Sequence, residues 1–260
     1  MSDLERIIII TGGSGGLGFA LAKLYLASGD TVIITGRNEE KLKAVQQKLG
    51  APSHLHTYVL DVSDNEQVRR FAAWVRVHFE RCDLLYNNAG SAVFKPFMEM
   101  SVDEIKETLT ANLDGVIYMT RAFLPMMIEA NRGQIVNIAS LAGQVASAKA
   151  SVYAASKAAV IRFSEGLRNE LYQTGVQITC VLPGPIDTTF LDLADTTGTY
   201  RSKVGRFLLK PDNAARIIRR AVETKKDEIA LPGRLHLLSI IHQLLPASIK
   251  RLLAPLINRK

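Results

Sequence analysis

The chain is poor in cysteine. Cys82 and Cys180 are the only two, with no spacing for a thiolate metal site or a disulfide framework, and both read as free thiols. Cys180 falls inside the apolar run Val176 to Leu182, as a small core residue does. Long hydrophobic runs are missing as well. A bilayer-spanning helix needs about 20 mostly apolar residues, and the two apolar stretches of the tail are interrupted by Pro246 and Pro255. No Pro/Gly/Ser-rich linker, low-complexity tract or solenoid-spaced repeat divides the 260 residues, of which 47% are hydrophobic. One domain with a substantial core is therefore expected. The five histidines are scattered and suggest no metal site. The start Met1-Ser-Asp-Leu-Glu-Arg6 lacks the charge order of a secretory signal, so a cytoplasmic or cytosol-facing protein is expected.

Acidic residues are scarce towards the carboxyl terminus. Residues 201–260 hold 14 Lys/Arg against 4 Asp/Glu, although the whole chain carries only +7. No recognition module or basic stripe interleaved with aromatics accompanies that charge, which argues against nucleic-acid binding. Beyond Pro232 the tail has two amphipathic patterns. Leu237, Ile241, Leu244 and Leu245 oppose His236, Ser239 and Gln243; then Ile249, Leu252, Leu253, Leu256 and Ile257 oppose Lys250, Arg251 and Asn258. This sets residues 233–260 apart as an extension of a 1–232 domain. Its apolar faces are expected to close a substrate pocket or an oligomer interface; peripheral membrane contact, aided by Lys250, Arg251, Arg259 and Lys260, is the alternative.

What the chain does have is an alternation of apolar runs, at 6–11, 31–35, 55–61, 83–87, 134–139 and 176–182, with helical patterns. The implied fold is α/β, a doubly wound, mostly parallel sheet of Rossmann-like type with helices on both faces and ligands beyond the strand carboxyl ends. The first run ends in Thr11-Gly-Gly-Ser-Gly-Gly-Leu-Gly18, after which a helix runs to Ala27. Glycines let backbone approach a diphosphate closely, and the helix start offers free N–H groups. The spacing departs from G-x-G-x-x-G, and no Lys-Ser/Thr follows as a P-loop requires. Asp64 is placed to cap the helix after Asp61-Val62.

Ser140, Tyr153 and Lys157 form the candidate catalytic set. Tyr153 and Lys157 stand four apart in an apparent helix from Ser151 to Tyr172, so they share a face. Ser140 ends the apolar run before it. An ammonium beside the phenol would lower its pKa from about 10 and let it exchange a proton with a carbonyl or alcohol oxygen, while Ser140 holds the same oxygen.

These motifs together resemble the classical branch of the short-chain dehydrogenase/reductase family, from about Ile7 to Ile229. The resemblance implies a coenzyme turn bearing Gly12, Ser14, Gly16, Leu17 and Gly18. It also implies adenine-side contacts at Asp61 and Val62, a cofactor-facing Asn88-Ala89-Gly90 within Asn87-Asn-Ala-Gly90, and a nicotinamide-side segment at Pro183, Gly184, Ile186 and Thr188. Asn112 completes a tetrad with Ser140, Tyr153 and Lys157. In this family Asn112 would help retain a water that links Lys157 to solvent, and Lys157 would bind the nicotinamide ribose. Family members are often homo-oligomers, through the helices containing Asn112 and Tyr153.

Cofactor choice rests on Gly36-Arg37. An acid at the end of the second strand would accept from a 2′-hydroxyl, whereas Arg37 can pair with a 2′-phosphate, so NADP(H) is favoured over NAD(H). An ion pair of Arg37 with Glu39 or Glu40 is the competing role. The expected activity is NADP(H)-dependent interconversion of a carbonyl and an alcohol on a small hydrophobic substrate. Phe190, Leu191, Leu193, Phe207 and Leu208 of the stretch Thr189 to Leu209 would shape its pocket. A catalytically idle dinucleotide-binding protein with a partner- or membrane-binding tail is the alternative, against which the filled tetrad speaks.

Overall fold

A computed structural model describes residues 5–257. Met1 to Leu4, Asn258, Arg259 and Lys260 lie outside the described residues, as do the side chains of Leu253, Leu256 and Ile257.

The apolar runs become β1 (Ile7–Thr11), β2 (Thr31–Gly36), β3 (Leu55–Val59), β4 (Leu84–Asn87), β5 (Gly133–Ile138) and β6 (Val176–Pro183), joined by β7 (Glu228–Leu231). All pair in parallel, in the order β3-β2-β1-β4-β5-β6-β7. The helices are α1 (Gly16–Leu26), α2 (Glu39–Lys48), α3 (Asn65–Phe79), α4 (Val102–Leu109), α5 (Gly115–Glu129), α6 (Ser151–Glu170), α7 (Thr189–Ala194), α8 (Thr199–Val204), α9 (Pro211–Glu223), α10 (Gly233–Leu244) and α11 (Ala247–Ile257).

Strand alternation explains why β1 is apolar throughout. Ile8 and Ile10 pack with Leu21, Tyr25, Leu42 and Ile218 from α1, α2 and α9. Ile7 and Ile9 pack on the other face with Phe71, Phe123 and Leu167 from α3, α5 and α6. A strand buried on both faces has no polar side to show, so its sequence reads as a continuous hydrophobic run. The strand order reverses between β1 and β4, which opens a crevice at their carboxyl ends.

The expected runs match β1 to β6 to within a residue at each end, except the third, and β7 is an additional strand. The third run, expected to reach residue 61, ends at Val59 because Asp61 turns the chain, its Oδ1 accepting from the N–H (2.9 Å) and hydroxyl (2.7 Å) of Ser63. Asp64 then caps α3 as expected, accepting from Glu66 N–H and Gln67 N–H. β7 had no clear signal: it is a four-residue edge strand whose Glu228 is exposed, too short for alternation to stand out.

The tail corrects the expected orientation. The side of α10 facing the protein carries Leu235, Ser239 and His242; Ser239 is buried and donates to Gln144 Oε1 at 2.6 Å. Leu237 and Leu244 instead face out, whereas Ile241 and Leu245 line the cleft as expected. The bond to Gln144 ties this side of α10 to the segment after β5, a contact that periodicity does not supply.

Candidate active site

β1 delivers Thr11 to the crevice, where its hydroxyl accepts from Asn88 N–H and Ala89 N–H, both at 2.9 Å, and donates to Tyr86 C=O. Asn88 Nδ2 donates to Thr11 C=O at 2.8 Å, so the segment after β4 is tied to the glycine turn. Gly12 has φ +65°, a left-handed conformation that costs a side-chain-bearing residue energy. A Cβ on Gly18 would sit 2.4 Å from Gly12 carbonyl oxygen, so only glycine lets α1 start this close to the turn.

The first turn of α1 is a fitting cradle for a dinucleotide diphosphate. Gly15 makes no side-chain cap, no acid lies in the first turn, and a Cβ there would meet nothing within 4 Å. Unpaired N–H groups and the positive end of the helix dipole thus face open space.

That space is a single cleft of about 1960 Å³ that extends from the glycine turn to α10. Its size suits a dinucleotide and a substrate together. Every cofactor-site residue expected from the sequence lines it except Gly18. Gly12, Ser14, Gly16 and Leu17 stand at the α1 end, with Asp61 and Val62 after β3. Asn88, Ala89 and Gly90 form the floor beside Pro183, Gly184, Ile186 and Thr188. Arg37 is on the rim, 63% exposed, and its predicted competitors are not its partners: it lies 3.4 Å from Glu107 of α4, while Glu39 pairs with Lys43. Lys41, which the sequence reading missed, also lines the cleft beside Arg37.

Ser140, Tyr153 and Lys157 meet on the same wall. Ser140 leaves β5 in extended conformation; its Oγ accepts from Ala142 N–H (3.1 Å) and donates to Pro183 C=O (3.3 Å). Lys157 is 5% exposed and donates to Ile138 C=O at 2.9 Å, its Nζ 5.9 Å from the Tyr153 ring centre. Burial pushes the Tyr153 phenol up to about 12, against a Ser140 hydrogen bond that lowers it and the nearby Tyr200 phenol that raises it. Burial also brings the Lys157 ammonium down to about 8. The expected lowering of the phenol by Lys157 is not found: desolvation sets the direction, and the group that opposes it is Ser140.

Asn112 does not line the cleft. It is fully buried in a π-helical turn, Thr110–Asp114, between α4 and α5. Its Nδ2 donates to Ser91 C=O (2.8 Å) and Ser156 Oγ (3.0 Å), and its Oδ1 accepts from Ser91 N–H (2.9 Å). It sits directly behind Gly90, where a Cβ would come 2.6 Å from Oδ1 and 3.6 Å from Lys157 Nζ.

The substrate end is apolar and aromatic. Phe190, Leu191, Leu193 and Phe207 line it as expected, whereas Leu208 does not. Phe94 and Tyr200 were missed: Phe94 packs edge-on against Tyr153 at 5.7 Å and against Tyr200 at 4.7 Å. Phe94 lies in an irregular loop, without periodicity to mark it, and is held by its N–H to Ala194 C=O at 2.7 Å.

The sequence pattern of the family described as "short chain dehydrogenase" matches residues 6–197. The chain belongs to the short-chain dehydrogenase/reductase family. An NADP-dependent 3-hydroxy acid dehydrogenase of Salmonella typhi is 39% identical over 184 residues, covering 70% of this chain and 73% of that protein. A short-chain dehydrogenase from Streptomyces avermitilis superposes with a TM-score of 0.83 at 32% identity, covering 97% of this chain and 96% of the other. A serine dehydrogenase solved with NADP+ gives 0.80 at 30% identity, over 87% of this chain and 94% of that one. The family is one of oxidoreductases that use a nicotinamide dinucleotide.

Proposed function

We propose that the protein is an NADP(H)-dependent oxidoreductase that interconverts a carbonyl and an alcohol on a small hydrophobic substrate. The observation that carries this reading is convergence: Ser140, Tyr153 and Lys157 share one cleft wall, between the glycine turn and the aromatic pocket. The bound nicotinamide would supply or accept the hydride and, in its oxidised form, bring a positive charge. Gly12, Ser14, Gly16 and Leu17 would hold its diphosphate, Asp61 and Val62 the adenine side, and Asn88 to Gly90 with Pro183, Gly184, Ile186 and Thr188 the nicotinamide side. Gly18 would act through the packing of α1 on the turn.

Tyr153 would exchange the proton with the substrate oxygen, Ser140 would orient that oxygen, and Lys157 would hold the ribose and stabilise the phenolate. Asn112 would be a positioning residue, fixing the backbone of Ser91 behind the site. The NADP(H) preference is supported by Gly36, which leaves no acid at the end of β2, and by Arg37 and Lys41 on the adjacent rim. The exposed pair of Arg37 with Glu107 contributes about 0–1 kcal/mol, less than the roughly 1.5–3 kcal/mol of a charge-assisted bond to a phosphate. The NADP-dependent relatives support the same choice. Self-association through the helices flanking Asn112 and carrying Tyr153 belongs to this reading. A panel of aliphatic, steroid and aromatic carbonyls with NADPH, followed by loss of its absorbance, tests it. Turnover of none by protein that binds NADPH would leave an idle dinucleotide-binding protein.

A further inference from the structure

We infer that the outer face of α10, continued onto α11, docks on an anionic lipid bilayer and sets the cleft mouth against it, so that hydrophobic substrates enter from the lipid. The substrate half of this inference rests on the carbonyl–alcohol reading of the cleft.

The observation is a helix turned inside out. On α10 the buried position is Ser239, while Leu237, Ile240 and Leu244 point away from the protein at 60%, 40% and 80% exposure, and Ile241, 49% exposed, stands between them and the cleft. Ile249 (41%) and Leu252 (78%) extend the apolar surface onto α11. An amphipathic helix on a protein surface ordinarily puts its polar stripe outward, and a contiguous exposed apolar patch marks an interaction surface.

Charge selects the occupant. No Asp or Glu follows Glu228 in the sequence, whereas Arg234 and Arg251 stand exposed at the two ends of the patch and Lys250 lies beside it. Apolar side chains rimmed by cations match an acyl layer under anionic headgroups. A second copy of this chain would bring the same basic residues towards one another across a two-fold axis, with no acid in the segment to relieve them. The 12 residues of α10 span only about 18 Å, and among the described residues no helix is long and apolar enough to cross a membrane. The segment therefore lies on the surface.

The patch is continuous with the site. Leu238 and Ile241 are exposed and also line the cleft, as does Leu193, which is 75% exposed. A molecule dissolved in the outer acyl layer would meet the cleft without crossing water.

Flotation of the full-length protein with phosphatidylcholine vesicles, with and without phosphatidylserine, is the test. The parent should float with the phosphatidylserine vesicles at low salt and be released as salt rises. Leu237→Gln/Leu244→Gln changes two exposed side chains that do not line the cleft; it should weaken vesicle binding by roughly tenfold or more. It should keep turnover of a water-soluble carbonyl substrate and lose only that of a vesicle-borne one. Arg234→Gln/Arg251→Gln should lose the preference for phosphatidylserine. Tyr153→Phe should float like the parent, which separates docking from chemistry. A parent that ignores anionic vesicles at low salt, or a leucine variant that floats equally well, overturns the docking. So does a leucine variant that dissociates an oligomer while the parent shows no vesicle binding, since the face is then a contact between copies. Docking without turnover of any carbonyl compound would leave the membrane surface standing and remove the carbonyl–alcohol reading.

Discussion

Replacing Tyr153 with Phe removes one hydroxyl and keeps the ring that packs on Phe94 at 5.7 Å and Phe190 at 6.1 Å. NADPH binding should survive, while hydride transfer should fall by about 10²–10⁴-fold, the usual contribution of a positioned general acid. Near-parental turnover by the folded variant would remove Tyr153 from its role. Lys157 makes a prediction of another kind. Burial lowers its pKa from 10.5 to about 8 in the folded protein, so below pH 8 the native state carries the full penalty of a buried ammonium. Above that value the unfolded chain binds the extra proton, and the penalty fades until about pH 10.5. Lys157→Met should abolish activity, and its thermal stability relative to the parent should be best near pH 7 and worsen as pH rises to 10. A difference in melting temperature that ignores pH would contradict the buried charge. At this scale the sequence disclosed Ser140, Tyr153 and Lys157, because fixed spacing on a helix and at a strand end fixes where side chains go. It did not disclose Phe94, Tyr200 or Lys41, which reach the cleft from a loop, a short helix and a charged surface helix without any pattern of their own.

Among the elements, the π-helical turn at Thr110–Asp114 has the most to explain. The extra residue in the turn widens the helix and turns Asn112 inward, where both ends of its amide are bonded. Asn112→Ala leaves the part-buried N–H and C=O of Ser91 without the amide that served them, while Ser156 Oγ keeps its donation to Tyr153 C=O at 2.7 Å. The variant should lose about 2–5 kcal/mol in urea unfolding, with each unpaired group costing about 1–3 kcal/mol. Activity should fall with it, because Asn112 backs the floor at Gly90 next to Lys157. Unchanged stability would show that water replaces the amide without cost. The sequence marked Asn112 only by resemblance, since a bulged turn leaves no trace in hydrophobic periodicity. Strands β1 to β6 were legible because each lies in an apolar run between turn residues. In α10 the amphipathic pattern was legible and its direction was not, because a period tells which residues share a face but not which face is covered.

At the scale of the whole molecule, the cleft joins the two halves of the sheet at the point where strand order reverses, with residues from β1, β2, β4, β5 and β6 or the turns after them on its walls. A ligand that fills it binds the native state alone and must stabilise the entire domain. At a concentration of about 100 Kd the gain is about 2.7 kcal/mol; at roughly 2–4 °C per kcal/mol for a domain of this size, melting should rise by about 5–10 °C. If Arg37 and Lys41 bind a 2′-phosphate, NADH is about tenfold to a hundredfold weaker. At the same concentration it should give only about 0.4–1.4 kcal/mol, about half the NADPH shift or less. Arg37→Ala/Lys41→Ala should bring the two shifts together by lowering that of NADPH and sparing that of NADH, since neither residue faces a feature the two cofactors share. Thermal melts of parent and variant with each dinucleotide decide this without any substrate. Equal shifts for the parent would refute the preference, and a variant that loses both shifts alike would place Arg37 and Lys41 in the support of the glycine turn rather than at the phosphate.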